Sequence, residues 1–280
     1  MSLATSECTP FTSMIKKWRK LKKQSQLDLS LEAGVSQRHL SFLESGRAKP
    51  SREMVLNLAI ALELPLRERN QLLNAAGFAS IFKERKLDDT EMKAIHHALE
   101  ISLTHHEPYP AIVADRNWNV VMTNNAAQRF MALIGNLEEV WNKVDPQGDK
   151  NIYRMTFHPK GMRPLIRNWD ELAKALLLRL QRDVNADPDN PFLGQLLQEM
   201  TAISDIDLSV SLTEIATPTT PILPMEISTG GVTLKIFSMI SSFGTAQDIT
   251  AEELKIETFF PADDFTTQFF KHNASQQAHK

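Results

Sequence analysis

The sequence predicts an α+β protein in two parts: an all-helical N-terminal domain over residues 11–77 and a larger mixed domain over 94–262. Three observations carry this. Residues 11–77 break into short stretches with one apolar face each, divided by Ser, Gly and Pro. From residue 111 onward, short apolar and period-two runs alternate with helical stretches. Charge divides in the same place: residues 1–76 carry 12 Lys/Arg against 7 Asp/Glu, and the remainder 19 against 27. In a chain of net charge −3, that asymmetry points to a polyanionic partner for the basic part.

With 280 residues, 42% of them hydrophobic, the chain has room for two cores. No apolar run approaches the roughly 18–20 residues that span a bilayer. Residues 1–10 read as a flexible polar tail without the basic and apolar regions of a secretory signal. Cys8 is the single cysteine, which rules out an internal disulfide and a thiolate pair for zinc. A cytoplasmic setting is expected.

The N-terminal helices follow in order. Phe11, Ile15 and Trp18 recur at helical spacing on a lysine-rich first helix. Ser25 caps a second, Gln26 to Ala33, which Gly34 ends. Ser36 caps a third, Gln37 to about Glu44, with Leu40 and Leu43 turned inward and Gly46 as its stop. Pro50-Ser51 restarts the chain into a fourth helix through Met54, Val55, Leu58, Ala59 and Leu62, and a fifth runs from Pro65 to Ala76.

Two short helices joined by a Gly-containing turn form a helix-turn-helix. The run SQLDLSLEAGVSQRHLSFLESGRAKPSREMVLNLAIALELP resembles the five-helix DNA-binding domain of the Cro/C1 (XRE) repressor family. In that fold the third helix enters the major groove of double-stranded DNA. Ser36 begins it. Gln37 can bond adenine in bidentate fashion and Arg38 guanine, while His39, Ser41 and Phe42 share the exposed arc, with Phe42 suited to a thymine methyl. The resemblance implies that Gln26 bonds a phosphate, as should Arg47 and Lys49 in the following loop. It also implies an ion pair between Glu44 and Arg19. Ser30 replaces a small alanine and fits if its hydroxyl bonds back to a carbonyl.

Residues 78–93 read as a connector of mixed charge. Asp88 or Asp89 then opens a helix to about His105. Ala111–Ala114 reads as a strand, Asp115–Asn117 as a turn, and Trp118–Thr123 as a second strand. Asn124 caps a helix ended by Gly135, with a ligand contact as the alternative role. Asp170 or Asn168 opens a leucine-rich helix, DPDNP at 187–191 interrupts it, and Phe192–Met200 is another. Met225–Thr229 and Val232–Met239 flank a Gly230-Gly231 hairpin turn, Leu254–Phe260 is a further strand, and 263–280 read as a loose polar tail.

Strand, turn, strand, Asn and Ala-rich helix are how a PAS-type sensor begins. YPAIVADRNWNVVMTNNAAQRF, NIYRMTFHPKGMRPLIRNW and DNPFLGQLLQEM together resemble the MmyB-like ligand-binding domain, a family usually fused behind an XRE domain. Where that family carries a Trp-rich motif, this chain reads IDLSVSLTEIATPTT. The resemblance implies a PAS-like pocket for a small apolar molecule such as a fatty acid. Candidate lining residues are Trp118, Met122, Phe130, Phe157, Met162, Leu165 and Trp169.

His96-His97 and His105-His106 lack the i, i+4 spacing of a helical metal site, and no cofactor is expected. No GxSxG, HExxH, P-loop or GxGxxG pattern occurs, so no enzyme is expected. The reading is a ligand-responsive transcription regulator, acting as a homodimer because one recognition helix reads only ~4–5 base pairs. Two alternatives remain at this point: a constitutive repressor whose C-terminal domain only dimerises, and a DNA-binding domain fused to an unrecognised enzyme.

Overall fold

A computed structural model describes residues 10–206 and 221–275. Residues 207–220, all of the IDLSVSLTEIATPTT segment except its first residue, lie outside the described residues, as do the N-terminal tail before Pro10 and the last residues after Ser275. The chain divides into two compact units. The first holds residues 10–89 together with 243–252; the second holds the rest.

The first unit contains α1 (Pro10–Leu21), α2 (Gln26–Glu32), α3 (Gln37–Glu44), α4 (Arg52–Ala61) and α5 (Leu66–Ala75). Ser25, Ser36 and Ser51 each accept a backbone N–H in the first turn of the helix they precede, and Ser25 with Asp28 completes a capping box. Their apolar faces meet in one core of Phe11, Ile15, Trp18, Leu29, Leu40 and Leu58, with neighbours of the same kind. Gly34 and Gly46 take the positive φ that ends α2 and α3. The Ser30 hydroxyl donates to Leu27 O at 2.8 Å, the back-bond that lets a serine sit buried between helices.

The second unit opens with a 3₁₀ turn (Thr90–Met92) and α6 (Lys93–His105). Met92 precedes α6 without a side-chain cap, so neither Asp88 nor Asp89 serves as one. Then come β1 (Ala111–Ala114), β2 (Val120–Thr123), α7 (Asn125–Met131), α8 (Leu137–Val144), α9 (Ile152–Phe157), α10 (Trp169–Ala186) and α11 (Pro191–Ser204). After these follow β3 (Met225–Thr229), β4 (Val232–Ser241), α12 (Ile249–Glu253), β5 (Lys255–Pro261) and α13 (Asp264–Ser275). The five strands form one antiparallel sheet in the order β2-β1-β5-β4-β3.

Three further expectations need correction. Residues 264–275 are helix rather than loose tail, because Phe270 gives the segment a buried anchor among Tyr109, Phe130 and Phe269. Trp118 belongs to the turn before β2, with φ 67°, and not to the strand. A non-glycine residue in that conformation costs on the order of 1–3 kcal/mol. Burial of the indole, its N–H bond to Asp183 at 2.7 Å and the cations of Arg179 (4.4 Å) and Lys255 (4.5 Å) at its ring offset this. Asn168 precedes α10 without capping it; its amide instead donates to Pro224 O and accepts from the Glu226 N–H.

The Arg19–Glu44 pair has the geometry of a buried fork. Arg19 Nε and Nη2 donate to the two Glu44 oxygens at 2.6 and 2.9 Å, and only 1% of the Glu44 side chain is exposed. Burial works to raise the Glu44 carboxyl, but hydrogen bonds from Arg19 and Gln26 and the nearby cations outweigh it and hold it below the usual carboxylate range. A depressed folded value means stability that is present above the unfolded value of about 4.3 and is lost as pH falls through the folded one. Glu44→Gln should therefore lower the stability of the first unit by on the order of 3 kcal/mol at pH 7, by leaving Arg19 confined without its counter-charge. Calorimetry should show that difference shrinking below about pH 4. A variant equal to wild type at neutral pH would show the pair to be of no consequence.

Gly161, in the turn after α9, lies so close to that helix that a Cβ there would lie 2.1 Å from Met155 O. That carbonyl accepts the Met162 N–H at 2.8 Å, so the backbone cannot yield without breaking a buried bond. Gly161→Ala should destabilise the second unit by more than ~1 kcal/mol, read as an earlier unfolding transition. An unchanged transition would refute the close approach.

Candidate nucleic-acid interface and ligand cavity

The Ser36 cap starts α3 in the register that turns Leu40 and Leu43 into the core, and so leaves Gln37 and Arg38 exposed in its first turn. Ser36 is itself exposed, but its hydroxyl accepts the His39 N–H at 3.2 Å and serves the helix first. His39, Ser41 and Phe42 are half-buried beside that turn. The Arg38 guanidinium stands 5.4 Å from the centre of the Phe42 ring, one helical turn on, which limits where this long side chain points. Arg47 and Lys49 are exposed in the loop after α3. Among the described residues no carboxylate pairs with Arg38, Arg47 or Lys49. The Gln26 amide nitrogen donates to Glu44 Oε2 at 2.8 Å, so the side chain braces the ion pair.

In the second unit a cavity of about 240 Å³ lies between the sheet and the helices. About 10–15 Å³ suffices for one water, so the space is of the size that takes an organic molecule. Ile112, Ile236 and Phe259 wall it from the sheet, and Met155, Met162 and Leu176 from the helical side. Of the seven residues the sequence suggested, Phe130 and Met162 line this cavity. Met122 lines a second, open recess beside β2. Trp118 and Phe157 are buried in a core with Tyr153, while Leu165 and Trp169 pack beside Met162 in the neighbouring core. Asn124 is a full-time cap: Oδ1 accepts from Ala127 and Ala111, and Nδ2 donates to Tyr109 O and Leu103 O.

Sequence reasoning missed the cavity's polar lining: Tyr153, Thr156, Arg179, Arg182, Ser238 and Glu257. Arg179 Nη1 donates to Glu257 Oε1 at 2.8 Å, Arg179 Nε to the Tyr153 hydroxyl at 2.9 Å, and the Ser238 hydroxyl to the same Glu257 oxygen at 2.7 Å. Burial pushes the Tyr153 hydroxyl up to about 12 against the opposing pull of Arg179, so it stays a neutral phenol. Burial acts to lower Arg179, but Glu257 and Tyr153 more than reverse this, and the guanidinium stays charged. The signal was present only as an arginine inside a leucine-rich helix, a position that solvent exposure would equally explain.

No helix among the described residues is long and apolar enough to cross a membrane. The chain's similarities agree with this division. A helix-turn-helix family model matches residues 15–69, and the model of the MmyB-like transcription regulator ligand binding domain matches residues 95–272. No curated protein matches the chain. With most of its length covered by that second model, the chain belongs to the MmyB-like family of transcription regulators, a DNA-binding helix-turn-helix followed by a ligand-binding domain.

Proposed function

We propose that this regulator binds a specific operator as a homodimer, and that an apolar amphiphile of the fatty-acid kind, held in the cavity, alters its affinity for DNA. The observation that carries this reading is the cavity, largely apolar yet bordered by the charged Arg179. Each methylene buried in such a space is worth about 0.8 kcal/mol. Arg179 and Arg182 outnumber the one carboxylate of the lining, Glu257, so the excess positive charge favours an acidic head group.

Mass spectrometry of molecules extracted from the purified protein, with DNA titrations in the presence and absence of palmitate, tests the ligand. An amphiphilic acid should co-purify and DNA affinity should shift. An extract free of apolar molecules, with DNA affinity indifferent to palmitate, would sink the reading. Light scattering should find two copies per particle, since two half-sites about 34 Å apart supply the specificity that one helix lacks.

On the DNA side, Arg38→Ala should weaken the cognate site by ~1–3 kcal/mol and relax one base position. Lys49→Ala should weaken all sequences alike and flatten the salt slope by about 1. Selection from random DNA separates the two: a motif unchanged by Arg38→Ala would show that α3 does not read bases through it.

A further inference from the structure

Neighbouring antiparallel strands are usually joined by two to five residues. β4 and β5 are such neighbours, paired up to Ser241 with Ile256, yet the chain between them leaves the second unit and contributes 243–252 to the first. In the first unit this segment is built in. Ile249 and Ala251 are buried. The Ile249 N–H donates to Lys83 O at 2.9 Å, the Thr250 hydroxyl to Arg85 O at 2.6 Å, and Arg85 to the Asp248 carboxylate at 2.8 Å. Helix α5 begins after Pro65 with no side-chain cap of its own; the Leu66 N–H donates to Glu252 at 2.7 Å. A residue between two strands of the sensor sheet thus supplies the carboxylate at the positive end of a helix-turn-helix-unit helix.

Both ends of the segment run into cavity-lining strands. Phe237 and Ser238 of β4 and Glu257 and Phe259 of β5 belong to the lining, and Ser238 and Glu257 are hydrogen-bonded to each other. An occupant that shifts this pair displaces the two strands from which the segment emerges. Packed segments respond to such shifts by changing between discrete arrangements rather than by yielding continuously.

We propose that residues 243–252 are a coupling strap that carries the state of the cavity to α5 and to the 83–85 stretch of the DNA-binding unit. The proposal rests on the ligand reading above and adds the path of regulation to it. A ligand shifts the equilibrium only through its differential affinity for the two arrangements, and the strap makes the arrangements differ at both ends.

The full-length protein provides the test, with palmitate and the cavity-filling variant Leu176→Trp as independent perturbations. Each should change hydrogen exchange at the Leu66 and Ile249 amides by about fivefold or more, and palmitate should change wild-type DNA affinity by a similar factor. The double variant Asp248→Ala/Glu252→Ala should still bind palmitate and DNA, but the ratio of DNA affinities with and without palmitate should fall to about one. A double variant keeping the wild-type ratio overturns the strap and leaves the ligand reading standing. Exchange at both amides that answers to neither perturbation overturns it as well. If palmitate fails to bind while Leu176→Trp moves the exchange, the lipid reading falls and the strap holds.

Discussion

Glu44 sits at the end of α3 with its carboxylate almost wholly out of water, and much of the first unit follows from that one fact. A charge so placed is tolerated only when its oxygens are matched by donors of opposite or neutral character. Arg19 of α1 takes both oxygens and Gln26 of α2 takes a second bond on one of them, so three helices converge on a single group. Arg19 also donates to Gln24 O, which fixes the turn from α1 into α2. The fork ties the last turn of α3 to α1 and α2, while the apolar core lies beneath the rest of the helix.

The second unit repeats the device with different partners. Asp145, with a side chain fully out of water, accepts from Arg154 at 2.8 Å and from the Asn151 N–H at 2.8 Å, which joins the ends of α8 and α9. Arg154 also reaches Glu199 of α11. Glu257, Arg179, Tyr153 and Ser238 form the corresponding node beside the cavity. The difference lies in what surrounds the group. Glu44 and Asp145 are matched inside packed helices, whereas the Glu257 node borders a space.

How far the sequence could be read follows the same physics. The serine caps, the Gly34 turn and the apolar spacing of Leu40 and Leu43 are local signals, and they located α2 and α3 almost residue by residue. Asn124 and the Gly230-Gly231 turn were equally local. Asn136 and Asn151 cap α8 and α9 in the same way, and those helices were missed because each is short and its apolar residues face two cores. Of the cavity lining, only Phe130 and Met162 stood out in advance, because an apolar side chain in a core and one facing a space look alike in sequence. The strap left little trace. Asp248 caps its short helix through the Thr250 N–H, a local signal, but the bonds that tie the segment in, Asp248 to Arg85 and Glu252 to Leu66, span more than a hundred residues.

The polar node also bears on which molecules such a cavity can distinguish. Adding or removing one methylene in an apolar pocket changes binding by only ~1–3 kcal/mol, so the walls alone sort chain lengths poorly. Arg179 is different. It is held by Glu257 and Tyr153 and lies 4.4 Å from the Trp118 ring, so an occupant that separates it from Glu257 without offering an acceptor leaves a charge unpaired out of water. A molecule with an acidic oxygen can give Arg179 an acceptor, leaving Glu257 to the Ser238 hydroxyl; a plain hydrocarbon of equal volume offers Arg179 nothing. On the proposed ligand reading, selectivity in this domain should then reside in the head group, and the strands that carry Ser238 and Glu257 would feel an exchange of partners.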